Sequence, residues 1–187
     1  MHVENTITIE RPIDEVFEYV STPENDPTWV SVSIRNQRTS PGPIREGMTI
    51  EEDVKSFGRT ASYTWEVTQY EPPTGIAYRA TSSLLPGISI RLLLEPVEGG
   101  TKLTHAVDLA LRGIHYRAIA PLIPWVAKQL LESMDRTLKN LLEDEQTTPG
   151  PRPKLASGAM TEAIVAASVV AGIALLLLRR RNRSSRS

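Results

Sequence analysis

The 187-residue sequence contains no cysteine. That absence excludes disulfides, a thiolate nucleophile and any cysteine-based zinc site, and it fits a reducing compartment. Histidine is scarce: His2, His105 and His115 are the three present, and none stands at metal-ligand spacing to another. There is no glycine-rich phosphate loop, no nucleophile elbow and no nucleotide-cofactor motif, so neither a metal nor a cofactor is expected. The first residues, MHVENTITIERP, offer no basic start and no apolar run of seven, so no secretory signal is expected there.

What is present divides unevenly. The formal net charge of −1 is the sum of two opposed parts. Residues 1–150 hold 14 Lys/Arg and 21 Asp/Glu, a net of −7, whereas residues 151–187 hold seven basic residues against Glu162, a net of +6. A domain at −7 repels the anionic phosphate backbone, so no nucleic-acid partner is expected. Hydrophobic residues make up 40% of the chain, enough for a core.

The hydrophobic period outlines the elements. Val3–Glu10 alternates as a strand, with Ile7 and Ile9 on one face. Pro12 suits a first helical turn, and Ile13, Val16, Phe17 and Val20 follow at helical spacing. Pro23 and Pro27 break that helix, and a second short helical turn is expected to carry Trp29. From residue 30 to residue 111 the period is two. Six strands are predicted, around Val30–Ile34, Met48–Val54, Thr60–Thr68, Ile76–Ala80, Ile88–Leu94 and Leu103–Leu111, separated by Pro/Gly turns. A long helix then starts near Pro124, with Val126, Leu130, Met134, Leu138 and Leu141 inward and Lys128, Glu132, Asp135, Arg136, Lys139 and Glu143 toward solvent. The fold class is α+β: a seven-stranded antiparallel sheet curved around one long helix, with two short helices after the first strand. Such a grip leaves room for an interior cavity.

Three segments carry a family resemblance. RPIDEVFEYVSTPENDPTWV, EPVEGGTKLTHAVDL and LKNLLE, in this order and spacing, resemble the START-like or SRPBCC superfamily, and within it the polyketide cyclase/dehydrase and lipid-transport group. The resemblance covers residues 1–145. It implies a helix-grip fold with an interior pocket for a small hydrophobic ligand, and names neither ligand nor reaction.

Two polar residues fall on the inward parity. Glu52 stands where an apolar residue is expected. It is either a ligand anchor or general acid/base, or a bulged or strand-end side chain that reaches water. His105 is either a ligand or proton-transfer group, or a core histidine satisfied by a neighbour. Trp29, Tyr63, Trp65, Tyr78, Ile90, Leu92, Val107, Trp125, Val126 and Leu130 are the candidate cavity walls, with ordinary core packing the alternative for each. Arg79 and Arg91 are expected on the outer surface, and His115, Tyr116 and Arg117 in a loop at the cavity mouth.

Residues 147–158 read as a proline-rich linker, 159–179 as a membrane span and 180–187 as a basic tail, leaving 1–146 as the ligand-binding domain. Ala163–Leu178, through Val170 and Leu175, is uncharged over 16 residues. That is about 24 Å of helix against a hydrocarbon core of about 30 Å, so Arg179 must snorkel and Glu162 must reach an interface. The arginine cluster favours its own end on the cytoplasmic side, while the absence of an export signal keeps the domain there. The domain is placed in the cytoplasm on a single-pass C-terminal anchor. Small residues at four-residue spacing, Ala167/Ala171 and Ser168/Gly172, would let two such helices pack as a homodimer.

The function expected from these features is membrane-tethered binding or transport of a lipid, isoprenoid or polyketide-like ligand. The alternatives are a cyclase/dehydratase-type enzyme using Glu52 and His105, and a non-catalytic interaction module.

Overall fold

The computed structural model of the chain describes residues 1–56, 59–81, 87–110 and 123–144. Strand β1 (His2–Ile9) leads into helix α1 (Ile13–Ser21), a 3-10 turn at Pro23–Asn25 and the short helix α2 (Asp26–Trp29). Strands β2 (Ser33–Arg38), β3 (Thr49–Ser56), β4 (Arg59–Glu71), β5 (Gly75–Ala80), β6 (Ile88–Val97) and β7 (Gly100–Leu109) follow, and then helix α3 (Ile123–Asp144). The sheet order is β1-β7-β6-β5-β4-β3-β2, antiparallel throughout. Consecutive strands from β2 to β7 form a meander. The first strand closes on the last, with His2 opposite Asp108 and Ile9 opposite Thr101.

The alternation makes one face of this sheet the core. Ile9, Ile50, Val67, Ile76, Leu92, Leu94 and Leu103 all bury on it. They meet Val16, Phe17 and Val20 of α1 and Met134, Leu138 and Leu142 of α3. Helix α3 lies along β1 and is tied to it. Lys128 Nζ donates to Glu4 O at 2.7 Å, and Lys139 Nζ donates to Thr8 O at 2.6 Å. Those lysines satisfy carbonyls of an edge strand and blunt it against further pairing. At the start of β7, Gly100 has no room for a side chain: a Cβ there would collide with the Ile9 carbonyl oxygen and stand 2.9 Å from Glu10 Cα.

The predicted architecture, a seven-stranded antiparallel sheet gripping a long helix, is the observed one. Three details differ. Strand β2 begins at Ser33 rather than Val30, because Val30 closes α2 by donating its N–H to Asp26 O at 2.7 Å. A register shift between Ser33 and Arg35 then turns Ile34 out to solvent and brings Ser33 in, while Asn36 stays inward. On α3, Asp135 is not on the solvent side: it is 0% exposed, on the face that buries Leu131, Met134 and Leu138. Among the described residues no helix is long and apolar enough to cross a membrane. The segment 159–179, with Ala163, Val170, Leu175, Leu178 and Arg179, lies outside the described residues, as do His115, Tyr116 and Arg117.

Candidate functional site

Glu52 is delivered to the interior by β3. Its register places it between Asn36 of β2 and Tyr63 of β4. It is 8% exposed and accepts a hydrogen bond from Trp65 Nε1 at 2.8 Å. Burial disfavours its charged form and raises its pKa above the ordinary carboxylate value, a rise that the Trp65 donor only partly opposes. Beside it stands Asp26, at the first position of α2. As a residue Asp26 is only partly buried, but its carboxyl is enclosed and accepts from Asn36 Nδ2 at 2.5 Å. Burial, and then the nearby Glu52, push the Asp26 carboxyl up to about 8. Two carboxyls thus lie inside the protein, and burial makes both resist losing a proton. Trp29 and Ser33 lie near enough to lower these values slightly, yet Trp29 Nε1 and Ser33 Oγ complete no hydrogen bond of proper geometry.

His105 enters the interior from β7. Its Nδ1–H donates to Asp135 Oδ1 at 2.9 Å, wholly inside the protein. Asp135 Oδ2 accepts from Asn5 Nδ2 at 2.8 Å, and Asn5 Oδ1 accepts from Lys128 Nζ at 3.1 Å. This chain runs from an interior imidazole to a cation on the helix surface and orients the ring. Trp29 links the two groups: its ring meets the His105 ring edge-on at 6.0 Å between centroids.

The predicted wall residues divide. Trp29, Trp65, Leu92 and Val126 are buried in the interior, while Tyr63, Tyr78, Ile90, Val107 and Leu130 are inward but partly exposed. The Tyr78 hydroxyl is enclosed, and burial followed by the Asp26 charge raises its pKa well above that of a free phenol. Trp125 is a correction. It is 63% exposed, on the face of α3 that also carries Gln129, Arg136 and Asn140, and so lines no interior surface. Arg79 and Arg91 lie outside, paired with Glu66 at 2.8 Å and Asp108 at 3.1 Å. His105 has the satisfying neighbour of the core-histidine alternative. Glu52 and His105 are not brought into contact with each other: Trp65 binds the one and Asp135 the other. Asp26, Asn36 and Asp135 are polar residues of the interior that the sequence reading does not place there. For Asp26 the legible signal is the first helical position beside Pro27. For Asp135 it is the i, i+3, i+4 spacing from Leu131.

Residues 1–143 match the model of the family described as polyketide cyclase/dehydrase and lipid transport. The chain belongs to that family. No curated protein matches it closely enough to count as a relative. Among solved structures, the protein TTHA0849 of Thermus thermophilus superposes with a TM-score of 0.66 at 11% identity, over 79% of this chain and 100% of that one. A Rhodobacter sphaeroides protein gives 0.57 at 24% identity over 76% and 91% of the two chains. The Aha1 dimer of Colwellia psychrerythraea, solved in solution, gives 0.55 at 16% identity over 76% and 96%. At such identities these likenesses concern the fold alone.

For a member of the polyketide cyclase/dehydrase and lipid-transport family, the interior has a one-sided charge balance. Neither Asp26 nor Glu52 has a Lys or Arg among the groups that set its ionisation. Proton-bearing carboxyls can donate a hydrogen bond as well as accept one. Among the described residues no group of three or more His, Asp or Glu side chains is arranged to hold a metal ion.

Proposed function

We propose that this protein binds a small hydrophobic ligand between the sheet and α3 and is held at a membrane, on its cytoplasmic side, by segment 159–179. One observation carries the binding reading: the inward row of Tyr78, Ile90, Val107 and Leu130 packs against the core yet stays partly exposed. Fully packed interiors leave few such positions, and a row of them marks a surface for an apolar guest. The family description, which includes lipid transport, agrees with it. The tether is supported by the uncharged run 163–178 and the arginines that follow.

Mass spectrometry of lipids extracted from the purified full-length chain tests the binding reading. A stoichiometric lipophile is the expected result; a chain that carries none and takes up no apolar probe would overturn it. Fractionation of cells expressing the full chain, and a chain ending at residue 146, tests the tether: the first is expected with membranes and the second in the supernatant.

A second reading, a cyclase or dehydratase, is favoured by one pairing: a proton-holding Glu52–Asp26 cluster and an oriented His105 meet at Trp29. Turnover of a polyketide-like substrate that is abolished by Glu52→Gln and His105→Gln supports that reading.

A further inference from the structure

We infer that Asp135, with Asn5 and Lys128 behind it, is the positioning group that keeps the His105 proton on Nδ1, so that Nε2 is offered to a ligand as a hydrogen-bond acceptor. This rests on the lipophile-binding reading above and adds which kind of ligand group His105 takes. The assignment begins at the surface. Lys128 Nζ can only donate, so the Asn5 atom 3.1 Å from it is the amide oxygen. The Asn5 amide nitrogen then faces Asp135 Oδ2 at 2.8 Å, and that oxygen accepts. The other carboxylate oxygen, Oδ1, lies 2.9 Å from His105 Nδ1. The amide holds the carboxylate in its accepting form, with the ammonium one residue behind, so the proton of this contact belongs to the imidazole.

The register makes this relay a property of the fold. Asn5 stands directly opposite His105 where β1 pairs with β7. Lys128 and Asp135 are about two helical turns apart on α3 and share the face that lies along β1. The role of one imidazole nitrogen is set by the bond that the other makes. With Nδ1 committed as a donor, the neutral ring has its lone pair at Nε2. Nε2 makes no hydrogen bond among the described residues, and it is not one of their enclosed atoms that lack a partner, so it keeps accessible surface. His105 also adjoins the partly exposed inward row: Val107 is the next inward residue of β7, and Ile90 stands opposite Val107. A guest lying on that row can satisfy Nε2 with an O–H or N–H; an ether or a hydrocarbon has no proton to give it.

Proton–nitrogen NMR correlation of the histidine rings in the nitrogen-labelled full-length chain reads the tautomer, with His105→Gln identifying the His105 signals. The wild type is expected to carry the proton on Nδ1. Asp135→Asn is expected to move it to Nε2, because the asparagine amide can donate to Nδ1 while its oxygen still accepts from Asn5. A residue that only filled space would leave the tautomer where it is. Calorimetric titration of 2-naphthol and 2-methoxynaphthalene, which differ by the O–H, then reads the acceptor. The wild type should bind the naphthol roughly three- to tenfold more tightly, the factor of one hydrogen bond, and Asp135→Asn should remove that preference. A wild-type proton on Nε2 overturns the inference, as does a tautomer unchanged in Asp135→Asn; the wild-type spectrum decides even if the variant fails to fold. Equal binding of the two probes by the wild type overturns the acceptor role and leaves the lipophile-binding reading standing. If neither probe binds, both fail.

Discussion

Replacing Asp26 with asparagine should stabilise this protein at neutral pH and change little near pH 4. Burial and the neighbouring Glu52 raise the Asp26 carboxyl from 3.8 to about 8 in the folded chain. Across that window the native state holds a proton that the unfolded chain has released. Stability from this group is therefore fully present below about pH 4 and falls as pH rises toward about 8. Each unit is worth about 1.4 kcal/mol, so by pH 7 the native state has lost about 4 kcal/mol on this one carboxyl. The asparagine amide does not titrate, and its oxygen still accepts from Asn36 Nδ2. Relaxation and water entry reduce the full figure, so the expected gain at pH 7 is about 1–4 kcal/mol, against less than about 1 kcal/mol at pH 4. Urea unfolding of wild type and variant, followed by far-UV circular dichroism at several pH values between 4 and 8.5, measures it. Glu52 is raised in the same direction, so the variant keeps a shallower slope of the same sign. A stability gap that is identical at pH 4.5 and pH 8 would refute the enclosed-carboxyl reasoning.

Three further substitutions probe other parts of the fold. Gly100→Ala drives a methyl group into the Ile9 carbonyl and should cost at least about 2 kcal/mol in denaturant unfolding, because the obstacle is backbone; a cost below about 0.5 kcal/mol would contradict that close approach. Asp135→Ala leaves His105 and Asn5 without their shared partner and should cost about 3 kcal/mol, read as a fall of roughly 6–12 °C in Tm. A shift under 2 °C would mean that the relay is not buried. Arg79→Ala removes only an exposed pair with Glu66 and should change stability by less than about 0.5 kcal/mol in the same assay.

How far the sequence can be read depends on which force decides each position. Period-two alternation follows from the geometry of the strand itself, so the seven strands and the inward parity of Glu52 and His105 are legible. Strand β2 starts later than its pattern predicts because Val30 has a strand-forming side chain while its backbone closes α2 and the turn after it. Only the bulge at Ser33–Arg35, a tertiary event, decides that Ser33 rather than Ile34 faces in, while Asn36 keeps the inward parity. On α3, charge is a poor guide. The cost of burying a lone carboxylate points Asp135 to solvent. Its partners, His105 and Asn5, are 30 and 130 residues away, beyond any local pattern. Trp125 departs from expectation for the converse reason: an apolar side chain carries no guarantee of burial, and its neighbours at helical spacing, Gln129 and Arg136, are polar.

The closure of the sheet by β1 on β7 has a consequence for how the chain is made. His2 must find Asp108, so β1 has no partner until about a hundred residues have followed it. At synthesis rates of about 5–20 residues per second that wait is roughly 5–20 s. Helix α3, whose lysines cap the β1 carbonyls, emerges later still. Throughout the interval a strand rich in β-branched residues is available to wrong partners. The nascent chain therefore spends seconds in a state that a holdase chaperone could recognise, and edge pairing during translation is the step at which crowding and temperature should most affect its yield.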